Sequence, residues 1–590
     1  MKRIKLIIIL SAFCYLHSFG AYLRNIPITI AQPDGTTIEC FATGDEYYNW
    51  VHDKDGYTII QDKKTGYYCY AILVGDDLVA SQYVIGSVSP KSVNIEPYIN
   101  ISGEKIREKV NEIIRDMPQK EALRNSGTQS RGAITGTINN IVIYIRFADQ
   151  DTFPAEQSQR TVIFNSTDSA DASMRNYFRE VSYNQLDIVS HFYPINNGTT
   201  ILSYQDPHNR NYYCPYDPVS NPSGYISRVD REHTLLSNAI NFVKNQIPSS
   251  LNIDYDNDGY VDNVCFIIRG SNSGYNNILW PHKGQLWSQS VDVYGKMVSN
   301  YNVLLETSSI INSSIICHEM NHTFGAPDLE HINQDNMDVV RPWDLMGEQL
   351  VPPQHMGAYM KYKYGGWISS IPSITTSGTY TLQPLTSSTN NCYKIPFSSL
   401  DSSRYYIVVE YRKKTGVFES SIPGSGLIIY RINESRFPWG NANGIDPGGA
   451  SDEVYVFRPD GTFSSKGDIY NAYFSETSGR TTFSNSTNPH CFDVDNNYGN
   501  IYIKNIRENA NGTLSFDVRF CDSENITYSN TSNLPSLSNA SNSIQTSGTV
   551  VVKNTDNIIF EAENKITLNS GFKIQLGGTF KINMNECGEK

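Results

Sequence analysis

The stretch IICHEMNHTFGAPDLEH, residues 315–331, places two histidines and a glutamate in an otherwise apolar run. His318, Glu319 and His322 form an HExxH pattern, and in a helix positions i and i+4 lie on the same face. Both imidazoles can therefore bind one metal ion, and Glu319 can hold a metal-bound water as general base. Two hydrogen-bonded core histidines are the alternative interpretation of this pattern.

The residues that follow extend the pattern to HExxHxxGxxD. Gly325 can end the helix in a left-handed conformation and turn the chain sharply. The turn allows Asp328 to return toward the histidines, and zinc accepts a carboxylate oxygen as a third ligand. Three protein ligands leave a fourth position for water, which is typical of a catalytic rather than a structural zinc site.

Other side chains compete with Asp328 for the role of third ligand. Glu330 and His331 lie two and three residues further along, and Glu348 is a more distant candidate. We favour Asp328 because its distance from Gly325 matches the motif, whereas no predicted helix presents Glu348.

A second acidic pattern precedes an apolar strand. Asp254, Asp256, Asp258 and Asp262 alternate with other residues, and Gly259 provides for a tight turn. Oxygen ligands at this spacing suit calcium, and the predicted role of the ion is structural. The loop is shorter than an EF-hand, because a cysteine occupies the twelfth position, where EF-hands have glutamate. A solvated acidic turn is the alternative.

Composition limits the classes of function. The chain has 590 residues and a formal net charge of −13, which argues against binding nucleic acid or anionic membranes through bulk charge. The length predicts several domains. We expect an α+β chain from the local patterns described below. Residues 1–20 combine basic residues with a short apolar run and predict a signal peptide, so we expect a secreted or cell-surface protein. No later segment is long and apolar enough for a transmembrane span.

The remaining chain divides by its local patterns. Residues 21–131 combine short strands with one helix, for which Ser102 is the predicted N-cap, and end in a polar linker. This region fits a propeptide with a cleavable linker, or an ordinary N-terminal domain. No long internal repeat is evident. The patterns predict mixed strands and helices over 132–370, an all-β sandwich over 371–520, a linker over 521–545, and a small β module over 546–590.

Met346 lies in a WDLMG turn eighteen residues after Asp328. HExxHxxG, a third ligand and a downstream methionine turn resemble the metzincin metallopeptidases. Several segments of the sequence resemble the M6 family, the immune inhibitor A-like peptidases, over roughly residues 30–520. The segments that carry this resemblance are HEMNHTFGAPDLE, WDLMG, MGAYMKYKYGGWI, VIYIRFADQ, MRNYFREVSYNQLDI, DYDNDGYVDNVCFII, GDEYYNWVHDKDGYTI and RYYIVVEYRKKTGVFESSIPGSGLIIYRI.

The resemblance implies a metzincin-like zinc peptidase domain over 132–370, preceded by a propeptide over 21–131. It also implies that Met346 forms a hydrophobic floor beneath the metal ligands. Most metzincins have histidine where this chain has Asp328, so the ligand set resembles a minority arrangement. A tyrosine often stabilises the oxyanion in these enzymes; Tyr359, Tyr362 and Tyr364 are unranked candidates.

The implied function is that of a secreted zinc-dependent endopeptidase made as a zymogen, with proteins or peptides as substrates and Glu319 as general base. Cleavage near Arg124 or Arg131 would release the prosegment. Cys40, Cys69 or a prosegment carboxylate are candidates for the group that blocks the zinc. The alternatives are hydrolysis of another amide bond and a non-catalytic surface adhesin that retains the peptidase fold. The C-terminal module is a candidate for attachment to a cell surface, a glycan or a protein.

Overall fold

The computed structural model describes thirteen parts of the chain. The predicted signal peptide and the linker with Arg124 and Arg131 lie outside them. Within them the protein is a mixed α+β, multidomain chain, as the sequence predicts. The described parts are residues 22–115, 133–154, 157–196, 198, 200–306, 311–331, 337, 339–397, 400–437, 440–441, 452–520, 523–562 and 564–584.

The N-terminal region is a six-stranded antiparallel meander in which each strand pairs with the next in sequence. Helix α1 (Gly103–Arg115) follows the sheet. Ser102 caps this helix, because its Oγ accepts a hydrogen bond from Lys105 N at 3.2 Å. The strands are β1 (Leu23–Ala31), β2 (Thr37–Gly44), β3 (Asn49–His52), β4 (Thr58–Gln61), β5 (Tyr68–Val74) and β6 (Asp77–Val84).

The central region is built on a mixed sheet in the order β11-β14-β10-β7-β8, with β9 also paired to β7. All neighbours are parallel except the edge strand β11, which is antiparallel to β14. Every residue of β10 is buried, as expected for a parallel strand inside such a sheet. The strands here, including the small hairpin β12–β13, are β7 (Gly136–Arg146), β8 (Leu186–Tyr193), β9 (Tyr204–Gln205), β10 (Val264–Ile268), β11 (His282–Gln285), β12 (Asp292–Val293), β13 (Lys296–Met297) and β14 (Asn300–Leu305).

The helix of the HExxH pattern begins at Ser313, after the apolar residue Ile311. Asn312 is its N-cap, because Asn312 Oδ1 accepts hydrogen bonds from Ser314 N at 2.9 Å and Ile315 N at 3.1 Å. Ile311 therefore precedes the helix. The helices of this region are α2 (Gln157–Asn165), α3 (Met174–Val181), α4 (Arg228–Val243), α5 (Ser313–Thr323) and α6 (Ala358–Met360).

The described residues between 371 and 520 contain strands and two short 3-10 helices but no α-helix, and the named strands pair antiparallel. One sheet has the order β15-β21-β20 and the other β16-β17-β18-β19. Their buried residues belong to the same hydrophobic core as the central sheet, so the predicted boundary at 370/371 does not separate two cores. The strands are β15 (Gly378–Leu382), β16 (Cys392–Pro396), β17 (Tyr405–Arg412), β18 (Gly426–Asn433), β19 (Val454–Val456), β20 (Tyr502–Glu508) and β21 (Leu514–Arg519).

A buried ion cluster lies in the all-β region. Arg412 is fully buried and donates from Nε to Glu419 Oε2 at 2.7 Å, while its Nη1 lies 3.3 Å from Glu410 Oε1. We expect Arg412→Met to lower the free energy of unfolding by about 3–5 kcal/mol, because two buried carboxylates lose their counter-charge. Chemical denaturation checks this. The control Arg404→Met removes the exposed contact with Asp401 and should leave the midpoint almost unchanged; equal losses would contradict the prediction.

The predicted linker over 521–545 is wrong for its described residues, which form strands of a parallel sheet that continues to the end of the described chain. From β23 onward the paired residues are 22 apart, as in Leu537 with Ile559 and Val550 with Phe572, whereas β22 pairs with β23 at spacings of 17 to 19, so the chain stacks coils of unequal length. The strands are β22 (Ser523–Thr531), β23 (Leu537–Val552), β24 (Asn557–Ala562), β25 (Lys565–Thr567), β26 (Phe572–Ile574) and β27 (Thr579–Asn583).

Polar side chains connect successive coils of this sheet. Asn542 Nδ2 donates to Asn525 Oδ1 at 2.9 Å, and Asn564 Nδ2 donates to Asn542 Oδ1 at 3.1 Å. A Ser- and Asn-rich composition resembles a linker in sequence, but here it forms side-chain hydrogen bonds across a parallel ladder. In the described part of the chain, no helix has the length and hydropathy that a membrane span requires.

Candidate metal centre

Helix α5 places His318 and His322 on one face, and the turn after it brings Asp328 back to them. Gly325 has φ +89°, the left-handed conformation that the motif predicts, and its N–H bonds to His322 O at 2.9 Å. His318 Nε2 and His322 Nε2 are 3.0 Å apart. Asp328 Oδ1 lies 3.2 Å from the first of these nitrogens and 3.5 Å from the second.

These separations fit a tetrahedral ion. Ligand atoms about 2.0–2.1 Å from zinc stand about 3.3–3.4 Å from one another at tetrahedral angles. The three observed distances bracket that value, and all three residues are buried. The geometry therefore fits a divalent cation held by three protein ligands.

The orientation of the imidazoles gives an independent test of this fit. His318 Nδ1 lies 3.1 Å from Leu345 O, and His322 Nδ1 lies 2.8 Å from Ala326 O. Because a carbonyl oxygen only accepts, the contact with Ala326 O places the proton of His322 on Nδ1 and a lone pair on its Nε2. His318 Nδ1 lies between Leu345 O and the side-chain amide nitrogen of Gln349, which is 3.0 Å away. The lone pair of His322 Nε2 lies 3.0 Å from His318 Nε2, an arrangement that a cation shared by the two nitrogens would stabilise.

The third ligand is ready to bind as an anion. Burial opposes ionisation of Asp328, but positive charge on the neighbouring imidazoles outweighs burial and holds the pKa of Asp328 below its ordinary value; a bound cation would supply the same charge. Glu319 is fully buried beside the ligands. The site thus combines three ligands with an adjacent carboxylate suited to general-base chemistry.

The methionine turn supports two parts of the site through its backbone. Leu345 O accepts from His318, and Met346 O accepts a hydrogen bond from Leu329 N at 2.9 Å, next to Asp328. The Met346 side chain is fully buried. The turn therefore orients the first histidine and the returning chain, and Met346 packs in the core.

The rival ligands have other partners. Glu330 Oε2 lies 3.6 Å from Arg24 of the N-terminal region, and His331 Nε2 lies 2.7 Å from Asp452 Oδ1. Glu348 pairs with an arginine side chain at 2.8 Å. These contacts favour Asp328 as the third ligand.

Two of the candidate oxyanion tyrosines have partners in the all-β region. The hydroxyls of Tyr359 and Tyr364 donate to Glu453 Oε1 at 2.6 Å and 2.8 Å, and both side chains are buried. Tyr362 is half-buried. The all-β region also holds the third ligand, since Asn441 N donates to Asp328 O at 3.2 Å.

A row of asparagines beneath α5 was not anticipated. Asn302 Nδ2 donates to Glu319 O at 3.0 Å and lies 3.2 Å from Thr323 Oγ1. Asn263 Nδ2 donates to Asn302 Oδ1 at 2.7 Å. These hydrogen bonds connect the HExxH helix to the sheet. In the sequence, the feature that could have predicted them is the presence of asparagines in otherwise apolar strand segments.

The acidic loop before β10 brings together three of its four predicted calcium ligands. Carboxylate oxygens of Asp254, Asp256 and Asp258 lie within 4.8 Å of one another. Asp254 Oδ2 also accepts from Lys296 Nζ at 2.6 Å. Asp262 accepts from a backbone N–H at 3.1 Å with both oxygens, and burial raises its pKa to about 7. Asp262 thus stands outside the cluster of three.

We expect calcium to raise the unfolding midpoint if this loop binds it. An ion at about 100 times its Kd stabilises by about 2.7 kcal/mol. Asp256→Asn should abolish the calcium-dependent shift measured by thermal denaturation. Asp292→Asn, whose exposed carboxylate caps Gly295 N in the neighbouring hairpin, is the control and should keep the shift. A shift that survives Asp256→Asn would contradict the assignment.

The turn between β2 and β3 of the N-terminal region packs against the segment that contains Asn276 and Asn277. Asn277 Nδ2 donates to Glu46 O, and Asn49 Nδ2 donates to Asn276 O at 3.2 Å. Asp45 and Glu46 are both buried. Burial raises the pKa of Asp45 to about 7, and the nearby Asp328 carboxylate adds to that rise.

The cysteines of the same region have partners within its own sheet. The Cys40 thiol lies 3.6 Å from Ile28 O, and the Cys69 thiol lies 3.7 Å from Tyr67 O. Burial raises the pKa of Cys40 to about 12, which disfavours a thiolate. All seven cysteines in the described residues are free thiols.

No protein-family model matches the chain. A search of curated proteins likewise finds no significant match.

Proposed function

We propose that the chain is a secreted zinc-dependent endopeptidase of the metzincin type, made as a zymogen. The observation that carries the proposal is the set of three lone-pair donors, His318, His322 and Asp328, at tetrahedral spacing beside buried Glu319. This arrangement supports hydrolysis, since it leaves one coordination position for water next to a general base.

The residues have distinct roles in the proposed reaction. Zinc, when bound, supplies a Lewis acid that lowers the pKa of water and polarises a carbonyl. Glu319 takes the proton from the attacking water and passes it to the leaving amine. The carbonyl of Ala326 keeps His322 in the tautomer that binds metal, and Leu345 O and the Gln349 amide orient the His318 ring. Met346 packs beneath the ligands without taking part in proton transfer.

The N-terminal region supports the zymogen part of the proposal. In its β2–β3 turn, burial raises the pKa of Asp45 and of Glu46, and the charges of Asp328 and Glu319, respectively, add to that rise. A carboxylate therefore suits the blocking group better than the thiols of Cys40 and Cys69. Removal of residues 22–115 would open the centre to a polypeptide.

The competing hypothesis is a non-catalytic surface adhesin with a peptidase fold. The stacked coils from β22 to β27 favour a role in attachment, because they form a separate sheet after the region that holds the metal centre. The same module is compatible with an enzyme held at a cell surface. Activity on protein substrates decides between the two hypotheses.

The test uses the chain without residues 1–20, before and after limited trypsin treatment, with casein as substrate. We expect zinc by elemental analysis, casein cleavage only after trypsin, and loss of cleavage with a zinc chelator. N-terminal sequencing of the activated form locates the cleavage site. Bound zinc without cleavage of casein or of a broad peptide library, even after prosegment removal, would favour the adhesin.

A further inference from the structure

The loop that carries the proposed third ligand touches the connection between strands β18 and β19 of the all-β region. Asn441 N donates to Asp328 O at 3.2 Å, and Asn441 Nδ2 donates to Leu329 O at 3.4 Å. Asn441 lies 112 residues beyond Leu329 in the sequence, so the support of this loop comes from a distant part of the chain. The two hydrogen bonds hold the backbone of the loop and leave the carboxylate of Asp328 to the histidines.

Asn441 is itself fixed, because its side-chain amide pairs with the first residue of β19. Asn441 Oδ1 accepts from Val454 N at 3.1 Å, and Asn441 Nδ2 donates to Val454 O at 2.7 Å. The amide therefore forms the same two hydrogen bonds that a neighbouring strand would form. Asn441 is only 1% exposed, so water does not compete for these bonds. The N–H that contacts Asp328 O is thus held in a constant position relative to β19.

Gly440 packs against the same loop with no room for a side chain. Its φ is +60°, and a Cβ at this position would lie 2.3 Å from Asp328 O and 2.8 Å from Pro327 Cγ. A backbone carbonyl and a proline ring can give way only if the loop itself shifts. Gly440 N also donates to Glu453 Oε2 at 2.9 Å, which keeps Gly440 in place. The loop and the all-β region therefore approach each other as closely as two backbones can.

The backbone of the third-ligand loop is held from two directions. Met346 O of the methionine turn accepts from Leu329 N at 2.9 Å, and Asn441 N donates to the preceding carbonyl of Asp328. The methionine turn belongs to the central region, whereas Asn441 belongs to the all-β region. Both contacts involve residues that are buried. The position of Asp328 relative to the two histidines thus depends on how the two regions pack.

We propose that Gly440 and Asn441 are positioning residues for Asp328, and that the all-β region thereby sets how tightly the metal centre binds zinc. The proposal rests on the proposed function, in which Asp328 is the third ligand, and names the residues that hold it. A ligand held in its binding position before the metal arrives loses little freedom on binding. The all-β region is then a structural part of the metal centre and not only a neighbouring domain.

The first test compares two glycine variants of the chain without residues 1–20, with zinc affinity measured by competition with a chromophoric chelator. Gly440→Ala should weaken zinc binding by about 10–100-fold, the range for loss of a partner that orients a ligand. Gly416→Ala is the matched control, because Gly416 has φ +74° but a Cβ there meets nothing within 4 Å. Both variants place alanine in the left-handed conformation, and only one displaces the loop. Equal zinc affinity in the two variants would overturn the proposal.

A second pair of variants separates positioning from general loss of stability. Asn441→Ala removes the amide that pairs with β19, and Asn485→Ala removes a similarly bonded amide elsewhere in the all-β region. Asn485 is 5% exposed and bonds through its amide to Asn500 and Tyr502, at 2.8 Å and 3.1 Å.

Both asparagine variants should lose unfolding free energy, but only Asn441→Ala should weaken zinc binding. With cobalt in place of zinc, the visible absorption bands, which depend on the arrangement of the ligands, should change in Asn441→Ala and match wild type in Asn485→Ala. Should Gly440→Ala fail to fold, this pair decides. The same affinity and the same spectrum in both variants would overturn the proposal.

Zinc should also act back on the all-β region, since coupling between two sites is reciprocal. In the wild type, zinc should slow hydrogen exchange of the peptide that contains Asn441 and leave the peptide that contains Asn485 unchanged. Exchange at Asn441 that does not respond to zinc would contradict the coupling.

The outcomes distinguish this proposal from the proposed function. If the wild type binds zinc but cleaves no protein or peptide, while Gly440→Ala and Asn441→Ala weaken zinc binding, the proposed function fails and the positioning role stands. If the wild type cleaves casein but both variants bind zinc as tightly as their controls, the proposed function stands and the positioning role fails.

Discussion

Glu319→Gln is expected to lower kcat/KM for protein substrates by about 10²–10⁴-fold, the range that general acid–base catalysis contributes. Glutamine keeps the shape of the side chain but cannot take a proton from the attacking water. His318, His322 and Asp328 remain in place, so zinc content and the unfolding midpoint should stay at the wild-type values. Activity on casein, elemental analysis and thermal denaturation measure the three quantities on the same preparation.

The matched control for this prediction is Glu348→Gln. Glu348 Oε1 lies 2.8 Å from Arg341 Nη2 and accepts a hydrogen bond from Tyr470 Oη at 2.9 Å, near the methionine turn. The control should keep zinc and most of the activity, because the structure gives Glu348 a contact outside the metal centre. Comparable loss in both variants would show that the effect of Glu319→Gln is structural, and the general-base role would be abandoned.

Asp328→Asn is expected to remove the metal rather than only the chemistry. Asparagine replaces an anionic ligand by a weak neutral one of the same size, and two histidines remain on a site built for three ligands. Zinc affinity should fall by more than the 10–100-fold that accompanies loss of a partner behind a ligand. Competition with a chromophoric chelator measures the affinity, and the stabilisation of the fold by added zinc should disappear with it.

Glu330→Gln and His331→Asn are the controls, since both residues were rival ligands and both have partners elsewhere. Each should keep zinc affinity within a few-fold of wild type. If Asp328→Asn bound zinc as tightly as wild type while one control lost it, the ligand assignment would move to that residue. The motif spacing would then have predicted the wrong carboxylate or imidazole.

The part of the site that the sequence predicted depends on the spacing of residues that are close together in the chain. Two histidines at i and i+4 share a helix face by geometry alone, and the structure brings their Nε2 atoms to 3.0 Å. Gly325 adopts the predicted positive φ because its missing Cβ permits the turn that returns Asp328. Asp262 shows the limit of such spacing, since it alternates with the other aspartates but points to a backbone N–H.

The C-terminal coils show how a pattern can be present and still mislead. Residues 521–545 have a linker-like composition, yet parallel pairing aligns Asn525, Asn542 and Asn564 into a ladder. The three asparagines are 17 and 22 residues apart, so no fixed spacing in the sequence marks them. Amino-acid composition takes each residue separately. The stability of stacked coils, in contrast, comes from contacts between equivalent residues on neighbouring strands.

By itself, the sequence determined the HExxH helix, the glycine turn, the acidic loop and the strand-rich character of the flanking regions, because each depends on residues close together in the chain. Only the tertiary structure decided which distant groups complete the site. Asn302, Leu345 and Asn441 reach it from separate segments. Their positions depend on how the sheets pack into one core, and packing over such sequence separations leaves no local signature.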